Sequence, residues 1–238
     1  MKESNVRIDQ LDKIAHDLGL YVKSIYDDSI LKRGEFRIGL SGGSSMDIFA
    51  EAILNQELLE SFDWNRWHVF FVDERLVPPT SKDSNHNKSS NVFLKYVNIP
   101  DNKVHTYDTH LEPYDSAIEY ENEIRKTFGT KSSEVPNFDL IILGLGQDGH
   151  TASLFPNHPI LEERKRLVTY LVDAPKFPPI RMSFTLPLIN NARNIAFITA
   201  GSIKMSILQD VLDIDSIEAL PTKMVAPKDG SVQWFVVE

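Results

Sequence analysis

Apolar residues Ile8, Leu11, Ile14, Ala15, Leu18, Val22 and Ile25 recur at intervals of three and four, the spacing of a helix with one buried stripe. The pattern stops before Gly34. Residues 36–40 then form a short apolar run that predicts a strand, leading into Ser41-Gly42-Gly43-Ser44-Ser45, after which Met46, Phe49, Ala50, Ile53, Leu54 and Leu58 resume a helical spacing. Strands are predicted again over residues 67–72 and 138–143, with a helix over 114–128 between them. The first of these ends in Asp73-Glu74-Arg75 and is followed by a Pro78-Pro79 loop and a polar stretch over 81–90. The second runs into Gly144-Leu145-Gly146-Gln147-Asp148-Gly149-His150. Residues 167–172, 182–188, 195–199 and 232–237 complete the strand candidates, and a further helix is expected after Gly201.

Strands alternating with helices in this way predict an α/β fold with a mostly parallel, twisted sheet flanked by helices on both faces. No repeat, low-complexity tract or linker interrupts the chain, so residues 1–238 are expected to form a single domain. A chain of this length buries roughly 70% of its unfolded surface and needs no covalent staple. The segments 41–45, 73–75, 144–150 and 201–204, the residues most suggestive of chemistry, all follow predicted strands. Ligands of open α/β sheets bind outside the carboxyl ends of the strands, so the four are expected to line one crevice.

The absence of cysteine excludes a disulfide framework, thiolate catalysis and thiolate metal ligation. The net charge of −9 argues against nucleic-acid or anionic-membrane partners. The longest basic run, Arg164-Lys165-Arg166, reads as solvated surface. No apolar run approaches the ~20 residues of a membrane helix, and the N-terminal residues mix charges without an apolar core, so a cytoplasmic protein is expected.

Two glycine motifs need care. Gly144-Leu145-Gly146-Gln147-Asp148-Gly149 fits G-x-G-x-x-G after a strand, but Pro156 and Pro159 leave room for hardly more than two helical turns afterwards, so no dinucleotide cofactor is expected. Gly39-Leu40-Ser41-Gly42-Gly43 fits the nucleophile elbow G-x-S-x-G, yet only one helix precedes its strand. The reading that fits its position is a helix N-terminus whose backbone at Gly42, Gly43, Ser44 and Ser45 cradles a phosphate, with Ser41 as nucleophile the alternative. His150 has a reference pKa suited to taking a proton from water near neutrality. The other six histidines have no H-E-x-x-H or similar spacing, so no metal is expected. Arg75 suits an anionic oxygen and Asp73 a hydroxyl or the imidazole, unless 73–75 is merely a surface ion cluster. Lys204, in the first turn after Gly201, could add its charge to a helix dipole.

Taken in order, Ser41 to Ser45, Trp67 through Asp73-Glu74-Arg75 with Asp83-Ser84-Asn85, and Gly144 through His150-Thr151-Ala152-Ser153-Leu154-Phe155-Pro156 resemble the 6-phosphogluconolactonase family. The likeness extends to Arg181 through Pro187 and to Gly201 through Lys204. It implies a fold related to glucosamine-6-phosphate deaminase and a small sugar-phosphate substrate, 6-phosphogluconolactone. It also brings Arg181 and Lys204 to the phosphate and counts Asn85, Gly146, Asp148 and Gly149 among pocket residues. The deaminase pattern carries a glutamate five residues after the histidine, where this chain has Phe155, and an aromatic residue at the position of Arg75. Ser45 and His86 depart from the lactonase pattern without removing a reacting group. Lactone hydrolysis is therefore the expected activity, with His150 activating water, Arg75 offsetting negative charge and Asp73 orienting Arg75, His150 or a substrate hydroxyl. The alternatives are a deaminase or a non-catalytic sugar-phosphate binder. The expected assembly is a monomer, with a homodimer left open.

Overall fold

The computed structural model describes residues 5–201, 203–213 and 219–238, without the side chains of residues 5 and 203–205. In chain order the elements are β1 (Asn5–Asp9), α1 (Leu11–Arg33), β2 (Phe36–Leu40), α2 (Ser44–Ile53), α3 (Gln56–Leu59), β3 (Trp67–Phe71), β4 (Asp73–Arg75), α4 (Asn85–Val92) and β5 (Val104–His105). They continue with α5 (Pro113–Phe128), β6 (Leu140–Gly144), β7 (Val168–Leu171), β8 (Arg181–Phe184), α6 (Leu186–Ile189), β9 (Asn194–Ala200), α7 (Ile203–Leu212) and β10 (Ser231–Val237).

Seven strands form one parallel sheet in the order β1-β10-β9-β6-β2-β3-β5. Successive side chains on a strand point to opposite faces, and β3 shows where each face goes. Trp67 packs against Tyr26 of α1 (centroids 6.0 Å apart), whereas Phe70 packs against Tyr120 of α5 (6.3 Å). The two helices therefore cover opposite faces, as the α/β reading expects. The near-continuous apolar runs of β3 and β6 are those of strands buried on both sides. Tyr120 also fixes α5 to the sheet through its hydroxyl, which accepts from Phe71 N (2.7 Å) and donates to the His105 carbonyl (3.0 Å). No helix among the described residues is long and apolar enough to cross a membrane.

Three expectations are corrected. Ile8 belongs to β1 rather than to the first helix, because residues 5–9 pair in parallel with β10 and cover an edge that would otherwise expose unpaired backbone groups. The helix begins at Leu11, and its buried stripe begins at Ile14. The runs 167–172 and 182–188 do not extend the main sheet: β7 and β8 form an antiparallel three-stranded sheet with β4. The second run ends as a strand at Phe184 and turns into α6. Finally, the polar stretch after Pro79 is only partly a loop, since α4 starts at Asn85, capped by Ser84 Oγ accepting from Asn87 N (3.1 Å).

Trp67 anchors the aromatic cluster of Tyr26, Phe36, Phe62, Trp64 and Phe93 and is fully buried. Replacing Trp67 with Ala should cost about 3–5 kcal/mol of unfolding free energy, measured by urea titration.

Candidate active site

A cavity of about 240 Å³ opens beyond the carboxyl ends of β2, β3 and β6. It is lined by residues 41–45, by Asp73, Arg75 and Asn85, by residues 144–147, and by His150, Ala152 and Lys176. Three of the four expected segments thus meet. The fourth, after β9, supplies no lining residue among those described, and the Lys204 side chain lies outside the described residues.

The turn after β2 depends on glycine twice. Gly43 caps α2 with φ +73° and ψ −154°, a conformation that side chains with Cβ strongly disfavour. A Cβ on Gly42 would lie 1.9 Å from Asn85 Oδ1, so the absence of a side chain lets α4 close on the turn. Ser45 Oγ donates to the Gly42 carbonyl (2.8 Å). The result is a helix N-terminus, with its partial positive charge, facing the cavity. Ser41 is buried, and among the described residues its Oγ has no hydrogen-bond partner. A serine nucleophile needs a base within hydrogen-bond reach, and none contacts this hydroxyl.

Strand alternation in β4 turns Asp73 and Arg75 toward the cavity and Glu74 away from it. Buried Asp73 accepts from Ser153 Oγ (2.9 Å) and Asn85 Nδ2 (3.2 Å), and its Oδ2 lies 3.9 Å from Arg75 Nε. Arg75 Nη1 donates to the Asp83 carbonyl (2.9 Å). The alternative of a solvated surface ion cluster is therefore set aside: Asp73 and Arg75 are part of the cavity wall.

The loop after β6 folds back on itself, with Gly146 N donating to the His150 carbonyl (2.8 Å) and Gly149 N to the Gly146 carbonyl (3.0 Å). The imidazole lies against Gly146, where a Cβ would approach Nδ1 to 2.0 Å. His150 Nδ1 is in short contact with Asp148 Oδ1. Lys176 Nζ donates to the same oxygen (3.1 Å) and passes 3.3 Å from Nδ1. Burial opposes charge on Asp148, but the hydrogen bond from His150 and the Lys176 ammonium outweigh it and hold its carboxyl well below the usual carboxylate range. An ionised Asp148 requires the proton on Nδ1. That tautomer leaves the Nε2 lone pair, which has no hydrogen-bond partner among the described residues, available as an acceptor. Phe155 supports the ring, its centroid 4.7 Å away. Thr222 braces the loop from behind, Oγ1 and N both donating to the Gly149 carbonyl (2.7 and 3.2 Å).

Of the residues singled out from the sequence, Ser41, Gly42, Gly43, Ser44, Ser45, Asp73, Arg75, Asn85, Gly146 and His150 line the cavity. Asp148 and Gly149 do not line it; the first holds the imidazole and the second forms its turn with φ +76°. Arg181 is also absent from the lining. It is buried, and its guanidinium donates to the carbonyls of Pro178 (2.9 Å) and Lys176 (2.9 Å) and lies 5.4 Å over Phe155. The lining cation from that region is instead Lys176, an isolated lysine in a proline-rich loop where no periodicity or motif marks it. Gly144, Leu145, Gln147 and Ala152 also line the cavity without having been named as site candidates; the first three lie inside the glycine-histidine segment and Ala152 lies two residues past it. Ala152 adopts φ +51°.

The family described as "Glucosamine-6-phosphate isomerases/6-phosphogluconolactonase" matches residues 9–234. A relative from Oryza sativa subsp. japonica named "Probable 6-phosphogluconolactonase 1" is 39% identical over 249 residues, covering 99% of this chain and 83% of its own length. One of the same name from Arabidopsis thaliana is 37% identical over 238 residues, covering 96% and 88%. The solved structure of 6-phosphogluconolactonase from Thermotoga maritima matches with a TM-score of 0.84 at 27% identity, over 99% of this chain and 100% of that one. That of 6-phosphogluconolactonase from Trypanosoma cruzi matches with a TM-score of 0.87 at 25% identity, over 98% and 94%. With a family model matched over residues 9–234, relatives 39% and 37% identical over nearly its whole length and a solved structure superposed with a TM-score of 0.84, this chain belongs to the glucosamine-6-phosphate isomerase/6-phosphogluconolactonase family.

Proposed function

We propose that this chain hydrolyses 6-phospho-D-glucono-1,5-lactone to 6-phospho-D-gluconate in the oxidative pentose phosphate pathway, with His150 as the general base. The observation that carries the reading is the fixed imidazole: Nδ1 is tied to Asp148 beside Lys176, and Phe155 supports the ring where the deaminase pattern has an acid. Full-length similarity to relatives named for this activity supports the substrate.

In the proposed reaction the phosphate docks at the N-terminus of α2 against Gly42, Gly43, Ser44 and Ser45, with Lys204 joining it. His150 Nε2 takes a proton from water as the water oxygen attacks the C1 carbonyl carbon. Arg75 offsets the charge that develops on the carbonyl oxygen. The bond from C1 to the ring oxygen then breaks, and His150 returns the proton to that oxygen. Asp73 holds Asn85 and stands beside Arg75, so its role is to orient the wall of the site. Arg181 fits a supporting role, holding the backbone that carries Lys176. The proposal places this activity in a cytosolic monomer, although some Oryza sativa relatives are named chloroplastic.

The deciding measurement compares turnover of freshly generated 6-phosphogluconolactone and glucosamine 6-phosphate, corrected for spontaneous lactone opening. Ammonia release without lactone turnover would replace this reading by deamination; ligand-induced stabilisation with neither activity would leave a binding protein.

His150→Ala and Asp148→Asn should each lower kcat about 10²- to 10⁴-fold with little change in KM, the first by removing the base and the second by releasing its tautomer. An unchanged kcat in His150→Ala would remove the assignment. Lys204→Ala should chiefly raise KM, because phosphate contacts serve ground and transition states alike. Asp148 also carries a pH signature. Its carboxyl is depressed in the fold, so its contribution to stability is present above the unfolded value of about 4 and is lost as pH falls toward the lower folded value. The difference in unfolding midpoint between wild type and Asp148→Asn should therefore narrow on acidification below about pH 4.

A further inference from the structure

We propose, resting on the lactonase reading, that Glu74 is a positioning residue that sets Arg75 and Asn85 in the cleft without itself lining it. Glu74 is buried, 3% exposed, between the two residues of β4 that reach the cavity. A carboxylate there must be met by donors, and four converge on it. Oε1 accepts from Arg75 N (2.8 Å) and Asn85 N (2.7 Å). Oε2 accepts from His86 N (2.8 Å) and Ser84 Oγ (3.0 Å). One side chain thus ties the backbone of Arg75 to the start of α4.

That tie reaches the chemistry by two routes. The Asp83 carbonyl, in the peptide that leads into the clamped Ser84, accepts from Arg75 Nη1, and this fixes the guanidinium from outside the cavity. The clamped segment also includes Asn85, whose Nδ2 donates to the Asp73 carbonyl (2.8 Å) and whose side chain packs where a Cβ of Gly42 would be. Releasing Glu74 therefore loosens both the charge that meets the developing oxyanion and the wall behind the phosphate turn. Three of the four partners are backbone N–H groups, which cannot become acceptors. An amide in place of the carboxylate must set its NH₂ against at least one of them. Glu74→Gln conserves shape while breaking the clamp.

The test is a double-mutant cycle on kcat and KM with 6-phosphogluconolactone, using wild type, Glu74→Gln, Arg75→Ala and the pair, with thermal unfolding of each. Glu74→Gln should lower kcat about tenfold or more with a smaller change in KM, the mark of an interaction made in the transition state. On the Arg75→Ala background the same change should cost less than about threefold, because coupled residues are not additive. Ser84→Ala removes one donor, together with the α4 cap, and leaves the charge; Ser84→Gly removes the same hydroxyl at smaller cost to the cap, and both should show a weaker loss with the same masking, deciding the matter if Glu74→Gln does not fold. Wild-type kcat in the folded variant, or full additivity with Arg75→Ala, would reduce Glu74 to a structural residue. A wild-type protein that does not open the lactone would overturn the functional reading and this proposal together, whereas turnover with an additive cycle overturns this proposal alone.

Discussion

The site depends on the pairing of β6 beside β2. Chain order in the sheet runs from β2 outward to β3 on one side, while β6 adds on the other, and the two paths diverge between β2 and β6. At such a switch point the connections leave in opposite directions and a crevice opens between them. The ladder continues one residue beyond β2, where Ser41 N donates to the Ile142 carbonyl (3.1 Å). This fixes the Gly42-Gly43 turn relative to the loop that carries His150. Because the adjacent β3 ends at the same level, Asp73 and Arg75 enter from the third side.

Within that frame the missing Cβ atoms at Gly42 and Gly146 matter more than the mobility of glycine. Each admits a neighbouring polar side chain to within about 2 Å of where a Cβ would be, Asn85 at one and the His150 ring at the other. The cavity they shape belongs to a chain whose overall charge is −9. Among the described residues the cations lining the cavity are Arg75 and Lys176, each beside an aspartate that it partly neutralises. An anionic ligand therefore meets oriented donors and a helix terminus rather than a broad positive surface. This is consistent with a small ligand and not with a polyanion.

The sequence made the parallel sheet legible because buried strands read as short apolar runs and because the glycine segments follow their carboxyl ends. It also marked His150, Arg75 and the α2 turn, whose chemistry is local. The small antiparallel sheet was not legible: residues 167–172 and 182–188 have the same local pattern as strands of the main sheet, and strand direction is set by long-range pairing with β4. Ile8 deceived for a related reason, since its spacing to Leu11 matches a helix although β10 takes its backbone as a strand. Lys176, which no sequence pattern marks, lines the cavity where Arg181 was expected. Both are lone cations in sequence, and only the fold decides that Arg181 is spent on backbone carbonyls while Lys176 reaches Asp148.

Phe155 connects these corrections to the choice of reaction. Its ring supports the imidazole on one side and lies under the Arg181 guanidinium at 5.4 Å. The residue at the position where the deaminase pattern has a glutamate thus joins the support of the proposed base to the clamp of the Lys176 loop. An aromatic ring gives His150 a surface to rest on and no group with which to exchange a proton. The described contacts give the imidazole the Asp148 carboxylate and, 3.3 Å away, the Lys176 amine at Nδ1, and leave Nε2 as the available nitrogen. Such an arrangement can accept one proton and return one. Lactone opening requires that pair of transfers; sugar ring opening, isomerisation and amine loss require more, with a second acid or base. Under the proposed mechanism, the limit on chemistry is therefore built into the packing beneath the histidine as much as into the histidine itself.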